Sequence, residues 1–135
     1  MERNLQVTKF RNGTDIPLIT EDSRWEDLST PVYSYYNNNS GNMYGPLYNG
    51  FTILKDEVCP EGWHLPTKSE WATLFESVGG KDIAGGKLKA RGTIHWAMPN
   101  VGAADDFGFT ALPGGLRYLD GSFRNEGSIG YWWAS

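Results

Sequence analysis

The sequence predicts one small domain in which short strands and short helices are set among many tight turns. Three observations lead to that expectation. Glycine supplies 17 and proline 7 of the 135 residues, above the roughly 12% combined share of an average protein, which disfavours a bundle of long helices. Residues 67–80 hold a complete helix signal, and Asp120-Gly121 between two apolar-bearing runs is the signal of a two-residue hairpin loop. The length suits a single domain, and six Trp, seven Tyr and six Phe supply enough side-chain area for a core.

Residues 1–20 place Leu5, Val7, Phe10, Ile16 and Leu18 around the turn Asn12-Gly13, which predicts extended chain folded back on itself. Asn12-Gly13-Thr14 also fits a glycosylation sequon, but the turn accounts for it more simply. In residues 30–36, Val32, Ser34 and Tyr36 alternate with Tyr33 and Tyr35, a strand pattern that ends in the Asn-rich loop 37–42. Met43, Leu47, Phe51 and Leu54 recur at helical spacing and predict a short helix over 46–54, with Pro46 in its first turn.

After a loop through Cys59-Pro60-Glu61-Gly62, Thr67-Lys68-Ser69-Glu70 forms a capping box. Its hydroxyl and carboxylate satisfy each other's backbone amides. Trp71, Leu74, Phe75 and Val78 then form one apolar stripe, and Gly79-Gly80 ends the helix. The glycine-punctuated stretch 84–115 reads as ordered loops. Residues 116–119 and 122–125 read as hairpin strands about Asp120-Gly121, and 130–133 as one more strand. No repeat of fixed period occurs.

Twelve basic against sixteen acidic residues give a net charge of −4. No two basic residues adjoin, so neither the total nor the pattern suits a phosphate backbone, and no nucleic-acid partner is expected. The longest apolar run is too short for membrane insertion, and the first ten residues lack the apolar run of a signal peptide. A single cysteine, Cys59, excludes an internal disulfide, a cysteine-based zinc site and a thiol pair within this chain.

Five separated strings share one likeness. They are Tyr44-Gly45-Pro46-Leu47-Tyr48-Asn49, the run from Cys59-Pro60-Glu61-Gly62-Trp63-His64 through Leu65-Pro66-Thr67 to Glu70-Trp71, Ala84-Gly85-Gly86-Lys87-Leu88-Lys89, Gly108-Phe109-Thr110-Ala111-Leu112-Pro113-Gly114-Gly115, and Tyr131-Trp132-Trp133. Together, in order along nearly the whole chain, they resemble the Fibrobacter succinogenes major paralogous domain. That family looks like a relative of the formylglycine-generating enzyme, or sulfatase-modifying factor, superfamily, whose Leu-Pro-Thr-x-x-Glu-Trp motif is matched at residues 65–71.

The resemblance implies an α+β, C-type-lectin-like fold: two short helices, a small twisted antiparallel sheet and long ordered loops that carry the recognition surface, in one domain over 1–135. It also implies an extracellular or cell-surface setting in bacteria. Family members usually begin with a further strand before the match to Asn4-Leu5, and they run past the Trp-Trp pair to a cysteine. The comparison therefore predicts a domain shortened at both termini, or one whose sheet another chain completes, and Cys59 as half of a bridge to that missing cysteine.

His64 and His95, the two histidines, show no spacing that places two ligands on one helix face, so hydrogen bonding within loops is expected of them. The stretch from Gly79 to Lys87 misses the phosphate-loop pattern by position and residue type, and reads as a helix end with tight turns. Gly127-Ser128-Ile129-Gly130 lacks the spacing of a nucleophilic serine elbow. The oxidase chemistry of formylglycine-generating relatives needs two copper-binding thiols where this chain has Cys59 alone. Asn100, Asp105 and Asp106 are the candidate calcium ligands, without the regular 1-3-5 spacing, and no other cofactor is expected.

A binding surface is then the leading expectation. Tyr33, Tyr35, Tyr36, Asn38, Tyr44 and Tyr48 gather amphipathic rings around an Asn-rich loop, the materials of many recognition surfaces. The sequence thus predicts a non-enzymatic module that binds a carbohydrate or protein at a bacterial cell or phage surface. The alternative is a structural or display unit of a larger surface or virion protein, and an oxidase ranks last.

Overall fold

In the computed structural model, which describes residues 4–135, the chain first turns back on itself at Asn12-Gly13. Gly13 takes a left-handed φ of 86°, the Asn12 side chain accepts the Thr14 N–H at 2.9 Å, and the Phe10 N–H donates to the Thr14 carbonyl at 2.9 Å. Leu5, Val7 and Phe10 are thereby laid against a core of Ile16, Tyr33, Tyr48, Val58 and Cys59. The first three positions of the expected extended segment lie outside the described residues.

A one-turn helix, α1 (Asp22–Glu26), carries the buried Trp25 into a second small core with Ile19 and Val32. Strand β1 (Tyr33–Tyr35) pairs antiparallel with β2 (Pro46–Tyr48), Tyr33 facing Tyr48 and Tyr35 facing Pro46. The helix expected over 46–54 is corrected here: its first residues are β2, and only α2 (Gly50–Ile53) is helical. Asn49 divides the two. Its Oδ1 accepts the N–H groups of Thr52 at 3.0 Å and Val32 at 3.2 Å, while its amide donates to the Thr30 carbonyl at 2.9 Å. The apolar spacing that suggested a longer helix marks no buried face, since Met43 is 63% and Leu54 80% exposed.

Helix α3 (Lys68–Ser77) has both bonds of the capping box, and Gly79 and Gly80 close it with φ of 105° and 106°. It buries none of its residues fully; Val78, just beyond its end, joins Ala84, Leu88 and Ala111 in a third core, against which half-buried Leu74 and Phe75 of α3 pack. Helix α4 (Lys81–Leu88) corrects the expectation of loops over 84–115. Glycines weaken an isolated helix, but here they permit tertiary contact. A Cβ on Gly86 would come within 2.6 Å of the Gly102 carbonyl oxygen. The following loop lies against that bare face, with the Ala104 N–H donating to the Gly86 carbonyl at 2.9 Å and the Ala111 N–H to that of Leu88 at 2.8 Å.

The last hairpin joins β3 (Gly114–Arg117) to β4 (Phe123–Glu126), with Arg117 opposite Phe123. Its loop is longer than the two residues expected. The Gly121 N–H closes on the Tyr118 carbonyl at 3.0 Å, and the Tyr118 N–H donates to the Ser122 carbonyl at 2.8 Å. Gly121, at φ 83°, therefore takes the left-handed position of a three-residue loop. Residues 130–133 form no strand, a further correction. Their backbone and indole groups bond singly to separate elements instead of to one ladder: the Trp71 indole donates to the Trp133 carbonyl, and the Trp133 indole to that of Tyr48, each at 3.2 Å.

Arg117 ties the two ends of the fold together. Its side chain is fully buried between Trp25 and Phe123, with the guanidinium 4.5 Å and 4.8 Å from their ring centres. It donates to the carbonyls of Ile19 at 2.7 Å and Gly121 at 3.0 Å, and to the Asp22 carboxylate at 2.8 Å. The described residues thus make an α+β fold of four short helices and two small antiparallel sheets, where two helices and one sheet were expected.

Candidate functional site

The tyrosines singled out from sequence do not share one exposed face. Tyr33, Tyr36 and Tyr48 are buried. Tyr48 donates its hydroxyl to the Val7 carbonyl at 2.8 Å, and burial pushes its phenol pKa upward. Tyr36 packs on Phe123 with ring centres 5.2 Å apart. Tyr35 is half-buried and edge-on to Tyr33, and half-buried Tyr44 sits edge-on to His95 at 6.0 Å. Asn38 is exposed and spends its amide on the Thr20 carbonyl at 3.0 Å.

Of the candidate calcium ligands, Asp105 and Asp106 are engaged by separate partners, while the Asn100 Oδ1 is buried without a hydrogen-bond partner. The Asn100 amide holds the carbonyls of Ala90 at 3.0 Å and Gly92 at 2.7 Å, and Asp105 accepts from the Thr110 N–H at 2.7 Å and its hydroxyl at 2.9 Å. Asp106 pairs with Lys87 and lies near Arg91. Among the described residues no three His, Cys, Asp or Glu side chains are grouped to hold a metal ion. His64 pairs with Glu70 at 2.8 Å. Hydrogen bonds from the Thr67 N–H and then from His64 hold the Glu70 carboxyl below its ordinary pKa. Cys59 is buried, and desolvation pushes its thiol pKa up.

A different set of side chains converges on open space. The exposed side of the α3 stripe faces α4, the segment after it and residues 128–132 across a groove of about 600 Å³. Trp71, Phe75, Trp96, Phe109 and Trp132 supply its aromatic walls, and Lys81 and Lys89 are its charged residues. Trp71 lies 6.3 Å, centre to centre, from both Phe109 and Trp132 at inclined angles, so the rings line a trough and do not stack closed.

These rings are held in place. Indole N–H groups of Trp71 and Trp96 are fixed to the carbonyls of Trp133, at 3.2 Å, and Ala111, at 3.0 Å. Trp132 folds back over Gly130, where a Cβ would run into its six-membered ring and stand 2.8 Å from the Leu112 carbonyl oxygen. Lys89 reaches over Trp96 at 5.1 Å and donates to the Val101 carbonyl at 3.0 Å. Aromatic faces fixed before binding lose little conformational entropy when a ligand arrives.

Trp96 is buried, as a core residue would be, whereas half-buried Trp71 and 38% exposed Trp132 line the groove, which the expected tyrosine surface did not include. The available signal was the α3 stripe itself. Trp71 and Phe75 are large for a helix of this length, and among the described residues the helix that packs beside them is the short α4. A second groove of about 590 Å³ lies on the Cys59 side, lined in part by Arg11, Trp63, His64 and Trp133. It carries two tryptophans, Trp63 and Trp133, where the first has five aromatic rings.

The family model described as the Fibrobacter succinogenes major domain matches residues 1–135. No curated protein and no solved structure matches the chain.

Proposed function

The chain belongs to the Fibrobacter succinogenes major domain family, and from that premise we propose that it is a recognition module that binds carbohydrate in the aromatic groove between α3, α4 and residues 128–132. The observation that carries this reading is the set of indole and phenyl faces held around open space by N–H bonds and close packing. The apolar faces of pyranose rings stack on such aromatic surfaces, and the ring edges remain free for hydroxyl contacts. Residues 65–71 support a C-type-lectin-like reading of the fold, and the family resemblance supports a bacterial cell or phage surface as the setting.

Titration of a panel of neutral and acidic oligosaccharides, followed by tryptophan fluorescence and calorimetry, tests the proposal. Trp132→Ala is expected to weaken binding at least tenfold with little change in melting temperature, because Trp132 is 38% exposed and its loss opens no closed core. If no oligosaccharide binds the folded protein, or if Trp132→Ala binds as well as the parent, the groove is not the site.

A further inference from the structure

The charge distribution around the groove says which carbohydrates it would accept. The chain as a whole is acidic, with a net charge of −4. Yet the groove walls carry two lysines and no carboxylate. Lys81, in the first turn of α4, is exposed, and its ammonium makes no hydrogen bond or ion pair with the other described residues, so it is available to a ligand. Lys89 lies at the other end of α4, half-buried, its ammonium over the Trp96 ring. Of the nearby carboxylates, Asp106 is paired with Lys87 and Asp105 is bonded to Thr110, while Asp82, beside Lys81 in the first turn of α4, does not line the groove.

Resting on the carbohydrate reading, we infer that the groove is selective for acidic glycans, sugars bearing carboxylates such as uronic acids. Their rings stack between the aromatic walls and their carboxylates meet Lys81 and Lys89. An apolar trough lowers the local dielectric, which strengthens an ammonium–carboxylate contact at its rim over the same contact in open water. A neutral sugar would leave both ammonium groups without anions, and an aromatic groove with acidic walls would repel a uronate. Stacking contributes to affinity for any pyranose, whereas the two cations discriminate between sugars that differ only in charge.

The test compares hexagalacturonate with its fully methyl-esterified form, which has the same rings and linkages without the charge. Calorimetry is expected to show the acidic hexamer binding at least tenfold more tightly than the ester, with the preference shrinking as salt rises. Lys81→Gln is expected to remove most of that preference by bringing the affinity for the acidic hexamer down toward that for the ester, and Lys81→Arg to keep it; both changes are at an exposed position and leave the melting temperature as it was. Equal binding of the two hexamers, or a preference that survives Lys81→Gln at full strength, overturns the charge selectivity and leaves the aromatic carbohydrate site standing. Failure of both hexamers to bind overturns the selectivity, and the carbohydrate site falls with it where the wider oligosaccharide panel does not bind either.

Discussion

Replacing Arg117 with methionine should be among the most destabilising single changes in the protein. A buried ion can often be exchanged for a hydrophobic residue of similar volume at little cost, because its charged partner can be exchanged as well. Arg117 differs in that its buried acceptors are backbone carbonyls, which no side-chain substitution removes. The carbonyl oxygens of Ile19 and Gly121 belong to buried residues and receive its N–H groups at 2.7 Å and 3.0 Å. Leaving a buried acceptor unpaired costs about 1–3 kcal/mol. The guanidinium contacts with the Trp25 and Phe123 rings add about 0.5–2 kcal/mol each.

The thioether would recover part of the packing, so a net loss of about 3–5 kcal/mol is expected. That is a large share of the roughly 5–15 kcal/mol of a typical domain. Asp22 provides the contrast. Its side chain is 65% exposed, so Asp22→Asn should lose less than about 1 kcal/mol although it breaks the ion pair. Urea unfolding followed by far-ultraviolet circular dichroism measures both variants. A loss below about 1 kcal/mol for Arg117→Met would refute the argument that the two carbonyls depend on this side chain.

Two further predictions follow from local geometry. Gly86→Ala should destabilise by about 1–3 kcal/mol even though alanine is the better helix former, because its methyl group would meet the Gly102 carbonyl; a raised melting temperature would show that the loop does not rest on α4. The Glu70 carboxyl is held below its ordinary value, first by the Thr67 N–H and then by His64. A group lowered in the folded state contributes stability above its unfolded pKa of about 4.3 and loses it as pH falls through the lowered folded value. Glu70→Gln should therefore flatten the fall of melting temperature on acidification below that pH, and an unchanged acid profile would show that the capping box makes no such contribution.

The features legible in advance were those whose cause lies within a few residues. Asn12-Gly13 turns the chain because glycine takes a positive φ there and the asparagine side chain closes on Thr14. Thr67 and Glu70 start α3 because their reciprocal bonds span only one helical turn. The same local logic misread 46–54, where apolar residues at helical spacing belong partly to β2. The deciding bonds from Asn49 go to Thr30 and Val32, which lie in the preceding strand region. For 130–133, aromatic residues that favour strands found no neighbouring strand; the Trp133 carbonyl accepts from the Trp71 indole and its own indole donates to Tyr48.

The site divides along the same line. Residue type alone indicated an aromatic recognition surface, but it did not say which rings would be covered. The sequence by itself determined the turns, the start and end of α3, the last hairpin and an aromatic-rich α+β chain, because hydrogen bonds and dihedral preferences at short separation are complete within such segments. Only the tertiary structure decided that Tyr33, Tyr36 and Tyr48 fill the interior while Trp71 and Trp132 face a groove, that glycines carry a helix beneath a loop, and that Arg117 joins the two ends. Burial depends on which distant segments arrive to cover a side chain, and nothing within a few residues of a tyrosine or a tryptophan records that arrival.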